Sequence, residues 1–152
     1  MKNIILFCSL IFALVSCADK GGLPPGIRGG GFKLPDGKHG QAIQALKRND
    51  IAYAINERGF VIYMAEDISK VRKIVREVTY GSEIKEYHSF SEAFGSSERK
   101  DIFVEVLRDK GVWYDVSTFE GTINVHYLRQ DIDKIDAAYQ EAFLLYHERR
   151  IN

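Results

Sequence analysis

Two stretches of the chain pass through the same succession of hydrophobic patterns, first a helical pattern and then an alternating one. In the first stretch, apolar residues follow helical spacing over residues 42–46 and alternate with other residues over 51–55. A polar turn at 56–59 leads to a further alternating run that holds Val61 and Tyr63. A period near 3.6 residues favours a helix, and a period of two favours a strand. The pattern therefore predicts a helix followed by two strands.

A second helix is predicted after these strands, because one apolar face recurs at spacings of three, four and three residues. The residues of this face are Ile68, Val71, Val75 and Val78. The same face recurs 64 residues later, at Ile132, Ile135, Tyr139 and Ala142. The preceding helix and strand recur with an offset of 61, over residues 42–55 and 103–116. Such periodicity can arise by chance, but the shared phase favours an internal duplication.

The fold class predicted from these patterns is α+β, with two tandem αββα repeats packed as one compact domain. The first repeat spans residues 41–80 and the second spans 98–152, with a polar connecting segment at 81–97. A unit of about 40 residues buries too little apolar surface to be stable alone. We therefore expect the two repeats to pack against each other.

The start of the chain has the features of a signal peptide. Lys2 precedes an apolar run over residues 4–15. As a helix, this run extends about 18 Å, whereas the hydrocarbon core of a bilayer is about 30 Å thick. A signal-peptide core explains the run better than a membrane span does.

The apolar run ends in the tetrapeptide Leu14–Cys17, LVSC, which resembles the lipobox of bacterial lipoproteins. The resemblance implies that residues 1–16 are removed and that Cys17 becomes a lipid-modified N-terminus. Several acyl chains anchor a protein stably, whereas a single chain does not, so the implied location is a membrane surface facing the periplasm. Ala18 follows the cysteine in place of Asp, which by the same resemblance favours the outer membrane of a Gram-negative cell. The alternative is an ordinary secretory signal with a chance cysteine.

A segment rich in glycine and proline follows, at residues 17–40. Eight of the 13 glycines and all three prolines lie between Gly21 and Gly40. This composition predicts a flexible linker between the lipid and the folded part, with a docking segment as the alternative. Lys and Arg together number 21, as do Asp and Glu. The zero net charge argues against general binding of nucleic acid, which requires an excess of cations.

No pattern of catalytic or metal-ligating residues stands out. The four histidines are His39, His88, His126 and His147. Their spacing is not that of a zinc site, and two cysteines are too few for a disulfide framework. We therefore expect no metal, no cofactor and no enzymatic activity. The alternative is a small hydrolase built on Glu86 and His88, which lie two residues apart.

The strands predict two different surfaces. In the second repeat, one strand face combines aromatic and polar side chains, as surfaces that recognise sugars or peptides do. The candidate binding residues on this face are Trp113, Asp115, Asn124 and His126. The corresponding face of the first repeat is apolar, which predicts an interface unless the face packs internally. Its candidate interface residues are Phe60, Ile62 and Met64.

The order of elements is similar to that of the ring-building modules in the lipid-anchored inner-ring proteins of type III secretion and flagellar export. The similarity lies in residues 45–55 and 59–72, where a helix, a strand, a hairpin and an acidic-capped helix follow one another. The order also resembles sporulation-related repeat domains, which bind peptidoglycan. These resemblances imply a noncatalytic scaffold or binding protein of the envelope, as in a secretion-type assembly. Its implied partners are the membrane, envelope proteins and further copies of itself, with a peptidoglycan- or glycan-binding module as the alternative.

Overall fold

The computed structural model describes residues 23–151, which fold into two successive βαββα units. The strands are β1 (Arg28–Phe32), β2 (Tyr53–Ile55), β3 (Val61–Met64), β4 (Ser89–Phe94), β5 (Tyr114–Phe119) and β6 (Thr122–Leu128). The helices are α1 (Lys38–Arg48), α2 (Ile68–Tyr80), α3 (Ser97–Asp109) and α4 (Ile132–Ile151). The predicted α+β class is confirmed. No helix within residues 23–151 has the length and apolar character needed to cross a membrane.

Each unit forms its own antiparallel sheet of three strands, in which the third strand along the chain lies in the middle. The order is β1-β3-β2 in the first sheet and β4-β6-β5 in the second. In the first sheet a bulge between Arg28 and Gly30 shifts the register of β1 against β3. Each sheet therefore has two edge strands, β1 and β2 in the first, and β4 and β5 in the second.

Strands β1 and β4 correct the sequence prediction, which has four elements in each repeat rather than five. Strand β1 lies inside the predicted linker at 17–40, and β4 lies inside the predicted connecting segment at 81–97. The predicted lipid-to-domain linker is thus shorter than 17–40, since β1 begins at Arg28. Residues 1–22 and 152 lie outside the described residues, and so does the lipobox.

Strand β1 has no alternation of apolar and polar side chains, because three of its five residues are glycine. The structure shows why one of them, Gly29, is required. Gly29 is buried, and a Cβ at this position would lie 2.8 Å from Cγ1 of Ile68 and 2.8 Å from the carbonyl oxygen of Met64. The first strand approaches the start of α2 so closely that no side chain fits between them. The glycines that suggest a flexible linker therefore allow tight packing instead.

Matching backbone hydrogen bonds show that the two units repeat the same local geometry. The amide of Ile51 donates to the carbonyl of Leu46 at 3.1 Å where α1 leads into β2. At positions 61 residues later, the amide of Val112 donates to the carbonyl of Leu107 at 3.0 Å, where α3 leads into β5. The equivalent bond in both repeats supports the internal duplication that the sequence pattern indicates.

Helix α4 joins two hydrophobic cores. The core of the first unit includes Leu46, Val61 and Ile68, each 0% exposed. The core of the second unit is formed by α3, α4 and the inner face of the second sheet, with Phe103 also 0% exposed. Tyr139 of α4 packs against both cores. Because α4 contacts α2 as well as α3, the two units form one packed domain.

Candidate binding surface

A tight turn sets the register of the hairpin that β5 and β6 form. Glu120 and Gly121 connect the strands with φ angles of 47° and 80°, as a two-residue turn of the mirror-image type requires. The turn places Phe119 across from Thr122 and therefore Asp115 across from His126. Residues directly opposite each other share one face of a sheet. The polar residues of both strands are thus brought together.

The structure brings the four candidate residues of the second repeat together on the face that points away from the helices. The opposite face carries Val125 and Tyr127, which are 0% and 2% exposed and belong to the core. Trp113 directly precedes β5, two residues before Asp115, and is 55% exposed. We call the following residues the outward face: Trp113, Asp115, Ser117, Phe119, Thr122, Asn124 and His126.

The outward face contains a side-chain pair that the sequence analysis missed. Oγ of Ser117 lies 2.7 Å from Nε2 of His126, within hydrogen-bond distance. The signal was available, because the Glu120–Gly121 turn fixes the strand register and with it the neighbours of His126. A nucleophilic Ser–His pair also needs a third group that orients the imidazole. Within residues 23–151 no carboxylate lies within ion-pair distance of His126.

The predicted apolar interface of the first repeat requires a correction at Met64. Phe60 is 39% exposed and Ile62 is partly exposed, but Met64 is only 2% exposed. A Cβ on Gly26 would lie 2.7 Å from Cε of Met64, and Nη1 of Arg28 lies 2.9 Å from its Sδ. The chain before β1 therefore covers Met64, which leaves Phe60 and Ile62 at the surface.

Glu86 and His88, the alternative catalytic pair, lie where the connecting segment enters β4. Both residues are exposed. The carbonyl oxygen of His88 accepts a hydrogen bond of 2.9 Å from the amide of Arg129, which ties this segment to the end of β6. In the part of the chain that the structure describes, no group of three His, Cys, Asp or Glu residues is arranged to hold a metal ion.

A cleft of about 250 Å³ lies between α2 and the second sheet, and the sequence analysis did not predict it. Its main lining residues are Arg72, Arg76, Tyr80, Phe90, Glu92 and Tyr127. Arg72 pairs with both oxygens of Glu92, one of them at 3.2 Å, and its Nε donates to Oδ1 of Asp136 at 2.8 Å. Arg76 pairs with both oxygens of Asp136.

These charges neutralise one another across the contact between the units. Burial lowers the pKa of Arg72, but the charges and hydrogen bonds of Glu92 and Asp136 outweigh it and raise the pKa above its ordinary value. Burial and the Glu92 charge raise the pKa of Tyr127, whose hydroxyl donates to Glu92 at 3.1 Å. Two cations and two anions leave little net charge to attract a ligand. The cluster therefore joins the units, and the outward face is the stronger candidate for binding.

No protein-family model matches this sequence. No curated protein matches it significantly either.

Proposed function

We propose that this chain is a noncatalytic binding or scaffold protein of the bacterial envelope, anchored to a membrane by lipid on Cys17. Its partner binds the outward face of the second sheet. The observation that carries the proposal is the uncovered position of this face, where Trp113 is 55% exposed beside a row of polar groups. Trp is enriched among the residues that contribute most of the binding free energy at interfaces.

The position of β1 makes the proposed anchor short. Ten residues, 18–27, separate Cys17 from β1. Fully extended, ten residues span at most about 35 Å. A partner of the folded domain is then either in the membrane, at its surface or in the adjacent envelope layer.

The composition of the outward face suits a partner with hydrogen-bonding groups rather than a purely apolar one. Asp115 and Asn124 offer acceptors and donors, and the Ser117–His126 pair adds a fixed hydroxyl and imidazole. Such a mixture of exposed aromatic rings, here Trp113 and Phe119, with several hydrogen-bonding groups is typical of non-obligate interfaces. This composition supports a reversible contact with another envelope protein.

The test is crosslinking in intact cells. A photo-crosslinking residue replaces Asn124 in the lipidated full chain, and the captured proteins are identified by mass spectrometry. We expect one envelope partner whose capture falls at least tenfold when Trp113→Ala is added, because a buried Trp anchor contributes 2 kcal/mol or more, roughly, to binding. Ile55→Ala is the matched control, since it removes an exposed apolar side chain from the other sheet. Equal capture with and without Trp113 would contradict the proposal.

A glycan is the second candidate partner, and Trp113 is the observation that favours it. Sugars present an apolar ring face and hydroxyl edges, which an aromatic ring flanked by Asp, Asn and His side chains complements. Purified sacculi separate the two candidates. Retention of the full chain on sacculi, lost in Trp113→Ala and kept in Ile55→Ala, supports the glycan. Absence of retention leaves the protein partner as the proposal.

A further inference from the structure

The hairpin of β5 and β6 is where the two repeats differ most. Strands β2 and β3 have three and four residues, whereas β5 and β6 have six and seven. Equivalent positions are 61 apart before the hairpin, as in Ile51 and Val112, and 64 apart after it, as in Ile68 and Ile132. All residues from 115 to 122 are exposed. We call residues 115–122 the arm. The helices cover the rest of the second sheet but leave this part of the hairpin exposed.

The arm contains an unprotected edge strand. Strand β5 pairs with β6 on one side and with no other strand among the described residues. Its residues Val116 and Phe119 are 41% and 69% exposed and lie on opposite faces. Natural edge strands are usually shielded by Lys, Pro or short length, because free backbone groups pair readily with another strand. Strand β5 has neither Lys nor Pro.

A second open edge lies along β1. Each unit has the element order β-α-β-β-α. This is the β-α-β-β-α-β arrangement without its last strand, and in the complete arrangement the last strand lies beside the first. Strand β1 carries three consecutive glycines at 29–31. An incoming strand therefore meets backbone and almost no side chains along this edge.

The two edges have complementary charges at matching spacing. Arg28 and Lys33 bracket β1, and Asp115 and Glu120 bracket the arm, in each case five positions apart. Within residues 23–151 none of the four forms an ion pair. Both cations contact neutral groups instead. Arg28 donates to the carbonyl of Pro24 at 2.9 Å, and Lys33 donates to the carbonyl of Arg58 at 3.1 Å.

We propose that the arm of one copy adds to β1 of a second copy as an antiparallel strand, an inference that deepens the scaffold function proposed above and rests on it. Antiparallel pairing that sets Asp115 across from Lys33 brings Glu120, in the turn, near Arg28, which lies beyond the bulge of β1. The two edges are different surfaces, so the contact is head-to-tail, and repetition of such a contact gives either a closed ring or an open chain. Copies on one membrane then join into assemblies of several chains.

Photo-crosslinking at the arm tests the contact directly. A photo-crosslinking residue replaces Phe119 in the lipidated full chain in cells. We expect a ladder of multiples of the chain, with the crosslink mapped to residues 28–33 of another copy. The same residue at Tyr87, an exposed aromatic remote from both edges in sequence, is the control and yields no ladder. A crosslink between two β5 strands, or none between copies, overturns the proposal.

A charge exchange tests the pairing without altering the core. Asp115→Lys alone and Lys33→Glu alone each reduce the ladder about fivefold or more, since each sets like charges opposite each other. The two substitutions in one chain restore it to within about twofold, because every contact again joins opposite charges. Lys73→Glu, an exposed charge on α2, has no effect. Failure of the double variant to restore the ladder overturns the proposed register.

The two proposals fail separately. If the Asn124 crosslinker captures its Trp113-dependent partner but the Phe119 crosslinker gives no ladder, self-association through the arm is wrong and the binding function stands. If the ladder forms and maps to residues 28–33 but the outward face captures neither protein nor glycan, the contact between copies is right and the proposed face function is wrong.

Discussion

Arg72 and Asp136 occupy equivalent positions in the two repeats, 64 residues apart, and bind each other across the contact between α2 and α4. Nε of Arg72 donates to Oδ1 of Asp136 at 2.8 Å. Two equivalent positions meet in this way when an approximate two-fold axis passes between them. The two equivalent positions have opposite charges. The pairing thus specifies which face of α2 meets which face of α4.

The first prediction concerns the stability contributed by this joint. Asp136 is 1% exposed and binds Arg72 and Arg76. Asp136→Ala lowers the free energy of unfolding by about 3–5 kcal/mol, because two arginines lose their shared carboxylate inside the protein. The control, Asp133→Ala, removes an exposed carboxylate of the same helix and changes stability by about 0.5 kcal/mol or less. Urea denaturation measures both, and equal midpoints for the two variants would show that the joint contributes nothing.

The second prediction is a loss of stability at high pH. Burial, and secondarily the charge of Glu92, raises the pKa of Tyr127 above its ordinary value of 10.0. Below about pH 10 both the folded and unfolded chains keep the phenolic proton, so Tyr127 has no effect on the pH dependence. Above this pH the unfolded chain loses the proton first, and the free energy of unfolding falls as pH rises.

Denaturation midpoints measured from about pH 8 to pH 11 check this dependence. Tyr127→Phe makes the decline shallower and costs about 1 kcal/mol at neutral pH, because the hydrogen bond to Glu92 is lost. Burial also raises the pKa of Tyr63, so part of the decline persists. Tyr87→Phe, at an exposed position, is the control. A decline of the same slope in wild type and Tyr127→Phe would refute the assignment.

The third prediction compares a glycine that close packing requires with a glycine that has free space around it. Gly29→Ala destabilises the protein by about 1–3 kcal/mol, because the new Cβ overlaps Ile68 and the backbone of Met64. Gly40 lies in α1, and nothing lies within 4 Å of a Cβ there. Gly40→Ala therefore stabilises by about 0.5–1 kcal/mol through the higher helix propensity of Ala. Thermal melts of the two variants should shift in opposite directions, and a shift in the same direction would show that β1 does not approach α2 so closely.

The fourth prediction tests the anchor. Cells fed an alkyne-tagged fatty acid incorporate the label into the wild-type chain, and Cys17→Ser abolishes this incorporation. Cys8→Ser, which changes the other cysteine of the sequence, leaves the label in place. Absence of label from the wild-type chain would favour the alternative of an ordinary secretory signal, and label retained in Cys17→Ser would show that the lipid is attached at another residue.

Periodicity was sufficient to predict the local elements and the duplication. The 3.6-residue and two-residue periods depend only on which side of a helix or strand faces a core. Helices α1 to α4 and the strands of the two hairpins could therefore be predicted from the sequence. Alternation along the two strands also assigned Asp115, Asn124 and His126 to one face. Strand β4 was missed although Phe90 and Phe94 alternate, because its polar surroundings were interpreted as a connecting segment.

The sequence by itself determined the α+β class, the repeat and the alternation of the second hairpin, since all three follow from spacing along the chain. Only the tertiary structure decided that Gly29 packs against α2, that Met64 is covered and that Arg72 meets Asp136. Each of these contacts joins residues that are 35 or more positions apart in the sequence. Local periodicity contains no information about such pairings, because they depend on which elements pack together and how closely their backbones approach.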